Sequence, residues 1–367
     1  MILKLDDEEY TYAKSGVNIK NQKEAHKIIG DLIAETYKFR KGKFGEVIGE
    51  YGHYAGLLDI GNDLCLAMHV DGVGTKVMVA EMLNKYDTIG IDLIAMHAND
   101  LICMGAEPVA LEDYLAIEKV NNNIIYQIMK GLVDGAKEAE MAIIGGETAI
   151  MPDVIKGNKS GKGLDLSGMS IGVVNKNKII TGEKITFGDS IIGLKSSGIH
   201  SNGYTLARKA FFELANFSHH DPLPQSSGSS IGEELLKPTK IYVKPVLKVI
   251  EQLDDQIHGL AHITGGAFSK LHRLKVGKKK KIGFHINNPP KPANIFKQIQ
   301  KITNLSHKEL YKTFNMGIGF CIIASKESTE QILHICNNSN FSAIKIGTVN
   351  QQEHILIETK DNKKIKL

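Results

Sequence analysis

The stretch Asp71-Gly72-Val73-Gly74-Thr75-Lys76 constrains the fold most, because it joins two segments of different periodicity. Residues 64–70 before it alternate as a strand does, and residues 77–83 after it have the pattern of a short helix. In such a turn, glycines let backbone N–H groups approach an anion, and Lys76 supplies a point charge for phosphate. Asp71 would repel that phosphate unless a divalent cation lay between them. The turn therefore predicts a metal–nucleotide site. The alternative is an ordinary turn in which Asp71 caps the helix and Lys76 is solvated.

Two further segments of the first half carry acids beside small residues. The apolar spacing over 88–103 predicts a helix with Asn99 and Asp100 in its last turn, where a carboxylate opposes the helix dipole by up to ~1 kcal/mol. That placement indicates a compensating cation, and an exposed acid without a role is the alternative. Residues 141–144 predict a short buried strand that ends in Gly145-Gly146-Glu147-Thr148. We expect this turn to form a second wall of the same site.

The second half repeats the pattern of a strand that runs into glycines and hydroxyls. Residues 190–194 predict a strand that enters Lys195-Ser196-Ser197-Gly198-Ile199-His200-Ser201-Asn202-Gly203, and a helix follows from 204 to about 215. Free N–H groups at a helix N-terminus attract anions, so this loop predicts an anion site. A plain N-cap by Ser201 or Asn202 is the alternative. A predicted strand over 257–263 leads into Thr264-Gly265-Gly266, another turn of this kind.

The 367 residues, 42% hydrophobic and 23% charged, are enough for two globular domains. We place the boundary near Gly182, with an α/β sheet domain over 1–182 and an α+β domain over 183–367. No apolar run is long enough to span a bilayer and the first residues do not form a signal peptide, so the sequence predicts a cytoplasmic protein without membrane contact. The four cysteines lack metal spacing and predict reduced thiols. The net charge of +4 comes from lysine runs without interleaved aromatics, at 278–281 and in the tail, which disfavours a nucleic-acid partner.

The sequence contains neither GxxxxGK[ST] nor a GxGxxG after a strand, which excludes P-loop and Rossmann nucleotide sites. It contains instead an ordered series of modest motifs at 71–76, 87–93, 99–100, 105–108, 145–149, 196–204, 238–244, 262–266 and 313–319. The most distinctive are His200-Ser201-Asn202-Gly203 and Pro238-Thr239-Lys240-Ile241-Tyr242-Val243-Lys244. In this order they resemble the phosphoribosylformylglycinamidine cyclo-ligase family, the aminoimidazole ribonucleotide synthetases. The resemblance runs from about Tyr12 to the last predicted strand.

The resemblance implies a two-domain PurM-like fold in the α/β (α+β) class. Its N-terminal α/β sheet domain would form a barrel with that of a second subunit in a homodimer, and its C-terminal domain would be an α+β sandwich. The implied reaction is an ATP-dependent ring closure that forms a C–N bond in purine biosynthesis. Formylglycinamidine ribonucleotide and ATP would give aminoimidazole ribonucleotide, ADP and phosphate, through an iminophosphate made on the formyl oxygen.

The resemblance also assigns roles to individual residues. Mg²⁺ would be held by Asp71, Asp100 and Glu147. The catalytic residues would be Asp100, Lys76 on the transferring phosphoryl group, and His200 as a proton carrier. Contacts to ATP and to the substrate would come from the glycine turns and their polar neighbours, namely Gly72, Gly74, Thr75, Gly146, Thr148, Ser201, Asn202, Gly203, Thr264, Gly265 and Gly266.

The chain departs from the family pattern near its N-terminus. Lys14-Ser15-Gly16-Val17-Asn18 lacks the two acids usual there, and Gly52-His53-Tyr54-Ala55-Gly56 replaces a Gly-Gly-Phe-Gly loop. Related families fit less well: selenophosphate synthetases carry a reactive cysteine in that loop, the hydrogenase-maturation relative ends in cysteine, thiamine-monophosphate kinase lacks the motifs at 200–203 and 238–244, and large formylglycinamidine synthases are much longer. A non-catalytic basic binding module is the alternative of a different class, and it predicts salt-sensitive nucleic-acid affinity without ATPase activity.

Overall fold

The structure is a computed structural model that describes residues 9–17, 19–226, 228–275 and 281–367. The N-terminal stretch 1–8, Asn18 and three of the four lysines of the run 278–281 lie outside the described residues. Within the described part, two sheets account for the two halves of the chain. The first sheet ends at Asn175 and the second begins at Ser190, so the proposed boundary at Gly182 falls on the connection between them.

Six strands form the first sheet, in the order β1-β2-β3-β6-β4-β5. Neighbouring strands are antiparallel except for β4 and β5, which are parallel. The strands are β1 Glu46–Ile48, β2 Gly56–Asp59, β3 Leu64–Gly72, β4 Glu107–Ile117, β5 Ala142–Ile150 and β6 Leu164–Asn175. The runs 57–60 and 64–70, on either side of the turn sequence Gly61-Asn62-Asp63, pair as the hairpin of β2 and β3, and β3 runs two residues into the glycine turn, which continues as a 3₁₀ turn over Gly74–Lys76.

Four helices belong to the first half: α1 Ile19–Tyr37, α2 Val77–Leu83, α3 Asp87–Ile102 and α4 Asn122–Ala139. The Asn121 side chain caps α4 by accepting from the N–H groups of Asn123 and Ile124. Helices α3 and α4 pack in direct backbone contact, because a Cβ atom at Gly131 would overlap the Asp87 carbonyl oxygen. This contact seats α3, almost entirely buried, between the sheet and α4.

Seven strands form the second sheet, in the order β13-β12-β9-β11-β7-β10-β8, with β9 and β12 the parallel pair. They are β7 Ser190–Lys195, β8 Ile257–His262, β9 Gly283–Ile286, β10 Ile318–Ala324, β11 Ala343–Asn350, β12 Ile355–Glu358 and β13 Lys364–Lys366. The central strands β7 and β10 are almost wholly buried. They therefore provide a rigid base for the polar loops at their ends.

The helices of the second half are α5 Tyr204–Arg208, α6 Ile231–Leu236, α7 Val243–Leu253, α8 Asn294–Thr303, α9 His307–Thr313 and α10 Thr329–Asn338. The predicted helix 204–215 is confirmed, although its second half is a π-helical stretch over Lys209–Leu214. After the turn at Gly265 and Gly266, a 3₁₀ helix spans Ala267–Lys275. The sequence patterns did not predict the short elements β1, β13, α6 and α9.

One prediction about the first sheet is wrong. Residues 141–144 do not form a short buried strand, because β5 continues through the glycines to Ile150 and lies at the edge of the sheet. Ile144 is 63% exposed and Ile150 58% exposed. An apolar sequence normally indicates burial, but this strand has a neighbour on one side only within the described chain.

Candidate active site

Two carboxylates lie together where the first sheet meets the second domain. Asp71 is in the last residues of β3, and its Oδ1 accepts a hydrogen bond of 2.8 Å from the Gly72 N–H. Burial raises the pKa of Asp71, and the negative charge of Asp100 raises it further, so each carboxylate lies in the field of the other. Asp71 and Asp100 therefore lie within electrostatic range of each other, and their joint role in holding a metal stays a prediction.

Asp100 is fixed between two imidazoles. His262 Nδ1 lies 2.7 Å from Asp100 Oδ1, and His69 Nε2 lies 3.3 Å from Oδ2. Burial alone would raise the pKa of Asp100, but the hydrogen bonds from His262 and His69 outweigh it and hold that pKa well below its ordinary value. The carboxylate in the last turn of α3 thus has two imidazole partners, and burial lowers the pKa of one of them, His262. Asp100 is ionised, buried and rigidly oriented.

The hydrogen-bond network continues on both sides of Asp100. The Asn99 Nδ2 atom lies 3.3 Å from His262 Nε2, which assigns the His262 proton to Nδ1, facing Asp100. On the other side, His69 Nδ1 lies 3.3 Å from His97 Nδ1, which in turn lies 2.9 Å from the Ser170 hydroxyl. Burial lowers the pKa of His97 to about 3, so this imidazole is neutral. No sequence motif pointed to His69 or His97, because they come together only through strand pairing and helix packing.

Lys76 requires a correction. Its ammonium is fully buried, 2.6 Å from Asp92 Oδ2, and donates a hydrogen bond of 2.7 Å to the Lys237 carbonyl. Burial lowers the pKa of Lys76, while the Asp92 charge opposes that shift. The other Asp92 oxygen accepts from the Thr239 N–H and hydroxyl, both at 2.7 Å. The ammonium also lies 5.5 Å from the centre of the Tyr204 ring, so all of these contacts are inside the protein, whereas the sequence pattern predicted a phosphoryl group as its partner.

The segment 237–242, which contains most of the predicted motif 238–244, docks on the N-terminal domain through these contacts. Besides Thr239, it bonds to Asn99, whose Nδ2 donates to the Lys240 carbonyl at 2.8 Å and whose Oδ1 accepts from the Tyr242 N–H at 2.8 Å. Asp92 and Asn99 are seven residues apart and hence lie on one face of α3. We call this face, with Lys76, the interdomain clasp. The clasp gives the motif at 238–244 a structural role, which is to hold the two domains together.

His200 lies in a loop that a left-handed backbone holds in place, with φ of 69°. The Ser197 N–H donates to His200 Nε2 at 3.1 Å, which assigns the imidazole proton to Nδ1, and that buried atom has no partner among the described residues. Burial holds the pKa of His200 well below its ordinary value, so the ring is neutral. Its neighbour Ser201 donates to Asp92 Oδ1 at 3.2 Å and so belongs to the clasp.

The loop 196–203 meets the second glycine turn. A Cβ atom on Gly265 would lie 2.7 Å from the Asn202 Oδ1 atom, so the missing side chain is what lets the two loops touch. The buried Asn202 Nδ2 has no partner in the described chain. Gly266 has φ of 82° and open space at its Cβ position, whereas a Cβ on Gly203 would overlap Phe314. Gly203 is thus explained by packing, and Thr264 is buried beside the turn.

The first turn faces the same junction. Gly74, with φ of 64°, has open space around its Cβ position, and the Thr75 hydroxyl lies 3.3 Å from the hydroxyl of Thr205 in α5. Gly74 and Thr75 are both exposed, so their backbone is accessible to a ligand. The structure therefore brings Asp71, Gly74 and Thr75 to the region that also holds Asp100.

Glu147 requires the second correction. Strand pairing places Glu147 beside Tyr114, Tyr114 beside Ser167, and Ser167 beside Gly72. Glu147 is therefore three strand spacings away, about 14 Å, and on the face of the sheet opposite to Asp71. Thr148 shares that exposed edge, while Gly146 lies in the row of Asp71 but equally far along the sheet. Within one chain Glu147 cannot complete the pair of aspartates, and the described residues contain no group of three or more His, Cys, Asp or Glu suited to a metal ion.

Comparisons with known proteins agree with this arrangement of two domains. The model of the N-terminal domain of AIR synthase related protein matches residues 52–174, and that of the C-terminal domain matches residues 187–359. Among solved structures, the chain is similar to a HypE–HypF complex, with a TM-score of 0.63 and 18% identity over 92% of this chain and 99% of the other. T. maritima PurL complexed with ADP gives a TM-score of 0.57 at 13% identity, over 87% of this chain and 46% of that one. At these identities, the structural neighbours establish the fold alone.

Curated relatives are far more similar in sequence. The chain is 49% identical to phosphoribosylformylglycinamidine cyclo-ligase of Methanocaldococcus jannaschii, over 92% of each chain. It is 46% identical to the enzyme of that name from Pyrococcus furiosus, over 95% of this chain and 97% of the other. No helix in the described ranges is both long and apolar enough to cross a membrane. From these matches over nearly its whole length, the chain belongs to the phosphoribosylformylglycinamidine cyclo-ligase family.

Proposed function

We propose that the protein closes the imidazole ring of aminoimidazole ribonucleotide from formylglycinamidine ribonucleotide, with ATP converted to ADP and phosphate. The observation that carries the proposal is the pair Asp71 and Asp100 at the domain junction, with Asp100 held ionised by two imidazoles. Turns with accessible backbone lie beside this pair on both domains. This arrangement suits a triphosphate on one side of the junction and an amide substrate on the other.

The chemistry explains why the reaction needs ATP. An amide oxygen is a poor leaving group, so the formyl oxygen first attacks the γ-phosphorus and ADP departs. The substrate nitrogen then attacks the formyl carbon, the C–O bond breaks, and the oxygen leaves as part of phosphate after proton loss from nitrogen. The protein has to bring the two reactants into line and neutralise the charge on the transferring group.

Mg²⁺ fits the two aspartates. This ion is commonly held by one or two carboxylates together with phosphate oxygens and water, and it would counter the repulsion between the acids and the triphosphate. Asp71 is suited to this role because the only hydrogen bond to its carboxylate among the described residues comes from the adjacent Gly72 N–H. Asp100 would act from a fixed position, since His69 and His262 restrain both of its oxygens.

The substrate side of the site would use buried donors that lack partners. The Nδ1–H of His200 and the Nδ2 of Asn202 are such donors in the described chain. An unpaired buried donor costs about 1–3 kcal/mol, and a bound formyl or amidine-bearing substrate would remove that cost. We assign His200 to hydrogen bonding as a neutral imidazole, and Gly265 and Gly266 to close backbone approach.

A homodimer would use the exposed face and edge of the first sheet. Val70 is 72% exposed on that face, and Ile144 and Ile150 are exposed on the edge strand, three strand spacings away from it. An exposed apolar edge strand is normally covered in solution, and pairing with a second copy would cover it. Because Glu147 lies on that side of the sheet, its role on the metal would be carried out by Glu147 of the partner subunit.

The decisive test incubates the protein with formylglycinamidine ribonucleotide, ATP and Mg²⁺ and detects aminoimidazole ribonucleotide. Product formed in step with ADP would support the proposal, and the absence of product from correctly folded protein would overturn it. Phosphoryl transfer from ATP to thiamine monophosphate would favour the activity of a thiamine-monophosphate kinase instead. The four unpaired cysteines are typical of the reducing cytoplasm, and we propose that compartment.

A further inference from the structure

With Lys76 confined to the clasp, the transferring phosphoryl group still needs a cation from the protein. The 3₁₀ helix Ala267–Lys275, which follows directly on Gly265 and Gly266, carries Lys270 and Arg273 one turn apart. Both side chains are half-buried, so each remains accessible to solvent from one side. No sequence pattern selected these two residues, because a Lys-x-x-Arg pair on a helix is ordinarily a solvated face.

The two cations share one aromatic support that comes from the other domain. Arg273 Cζ lies 4.9 Å from the centre of the Tyr54 ring, and Lys270 Nζ lies 5.8 Å from it. Tyr54 is buried in the loop 52–56, and the neighbouring His53 anchors that loop by a contact of 3.1 Å between its Nε2 and the Thr181 carbonyl. The loop that replaces the family's Gly-Gly-Phe-Gly loop therefore positions two positive charges at the domain junction.

These charges are not neutralised by contact. No carboxylate of the described residues lies within ion-pair distance of Lys270 or Arg273. Burial lowers the pKa of Lys270, and the charge of Arg273 lowers it further, while Asp100 and Asp71 raise it. Two like charges that are partly desolvated side by side are unfavourable unless an anion joins them. The charges of Asp71 and Asp100 act on Lys270 through space and would also repel an incoming anion. Such an anion would therefore bind together with a metal ion.

We propose that Lys270 and Arg273 bind the phosphate group that the enzyme transfers, while Asp71 and Asp100 would hold the metal ion that accompanies it. The proposal rests on the proposed function, and it adds the residues that take over the role predicted for Lys76. A guanidinium fork and an ammonium point charge together suit a terminal phosphate. The substrate's own phosphate has the same chemistry, so the experiment distinguishes the two sources.

The test measures the dissociation constants of three probes by calorimetry for wild type and Lys270→Met: AMP-PNP with Mg²⁺, ADP with Mg²⁺, and formylglycinamidine ribonucleotide alone. We expect Lys270→Met to weaken AMP-PNP by about 10- to 100-fold, the value of a charge-assisted hydrogen bond, and to leave ADP and the ribonucleotide nearly unchanged. Weakening of the ribonucleotide alone would overturn the assignment to the transferred phosphate. Unchanged affinity for all three probes would overturn the site.

Lys275→Met is the matched control, because Lys275 lies on the same 3₁₀ helix but its ammonium donates to the Glu353 carbonyl at 2.7 Å. It removes the same charge away from the tyrosine, and all three affinities should stay at wild-type values. Lys270→Arg should restore most of the AMP-PNP affinity. If Lys270→Met fails to fold, Arg273→Gln carries the same test.

Turnover separates this inference from the proposed function. If wild type makes no aminoimidazole ribonucleotide, the proposed function fails, while the difference between AMP-PNP and ADP still tests the phosphate site. If wild type is active and Lys270→Met keeps full kcat and KM for ATP, only the inference fails. We expect kcat to fall with thermal stability retained, since the substitution also removes repulsion with Arg273.

Discussion

Replacing Lys76 by Met tests whether this motif residue holds the domains together or acts on phosphate. Its ammonium and the Asp92 carboxylate are both 0% exposed and lie 2.6 Å apart. Removing one partner of a buried pair leaves an uncompensated charge and costs about 3–5 kcal/mol. Asp92 keeps its hydrogen bonds from Thr239 and Ser201, so we expect the lower end of that range. For 367 residues, at about 2.1 cal/mol/K of unfolding entropy per residue, a loss of about 3 kcal/mol lowers the Tm by roughly 4 °C.

The assay is thermal unfolding at a fixed scan rate, together with turnover at a temperature at which every variant is folded. The double variant Lys76→Met/Asp92→Asn removes the stranded charge and should recover about 1–2 kcal/mol relative to Lys76→Met alone. Lys184→Met is the control, since Lys184 pairs with Asp255 on the surface, where both side chains are more than half exposed. That variant should unfold like wild type.

A Lys76→Met protein that keeps the wild-type Tm and loses its turnover would refute the structural role of Lys76 in the clasp. Such a result would mean that the ammonium leaves Asp92 during the reaction and serves the phosphoryl group, as the sequence motif suggested. A clasp role predicts the opposite order of effects. The double variant should then regain activity as it regains stability, because neither residue would touch a reactant.

Three further outcomes follow from the site and the exposed sheet. Asp71→Asn should lower kcat by about 100-fold or more with an unchanged Tm, because it removes metal charge but almost no packing, and a loss of folding would instead mark a structural cap. His97 has its folded pKa lowered to about 3, so the unfolded chain binds a proton first and stability falls as the pH drops below about 6.5. Between pH 6.5 and 5 this one group contributes a loss of about 2 kcal/mol, which denaturant unfolding should show and His97→Gln should diminish. Ile144→Asp on β5 should convert a dimer into a folded monomer by light scattering, and an unchanged mass would reject this edge as the interface.

Periodicity was sufficient to predict most of the fold. Helix α2 has the predicted bounds, and Asn84 ends it in a left-handed conformation. The β2–β3 hairpin follows from a turn sequence between two short apolar runs. Local patterns of this kind depend on neighbours in the sequence. The β5 prediction was wrong because exposure depends on which strand lies alongside, and a single sequence does not contain that information.

The site was predictable only as far as its residue types were. Asp71 and Asp100 were assigned to the metal, together with Glu147, from the family resemblance, and the local sequence added only that Asp71 would repel a phosphate and that Asp100 opposes a helix dipole. Lys76 was assigned to phosphate because a lysine beside glycines in a turn suits an anion. The local sequence does not show whether that anion is a phosphate or a buried carboxylate such as that of Asp92. The carbonyl partner of Lys76, Lys237, lies 161 residues away along the chain. Lys270 was missed for the same reason, since its partner Tyr54 belongs to the other domain.

The segment Asp71–Lys76 therefore joins two functions in six residues. Asp71 faces the metal corner, while Lys76 and Asp92 hold Ser201, which is adjacent to both His200 and Asn202. The distance between the metal corner and the substrate donors is thus set through one buried ion pair. A clasp variant that stays folded should consequently raise KM for the ribonucleotide more than it lowers kcat, because a displaced loop binds substrate less well while Asp71 and Asp100 remain in place. If kcat at saturating substrate falls by as large a factor as KM rises, the clasp does not control this spacing.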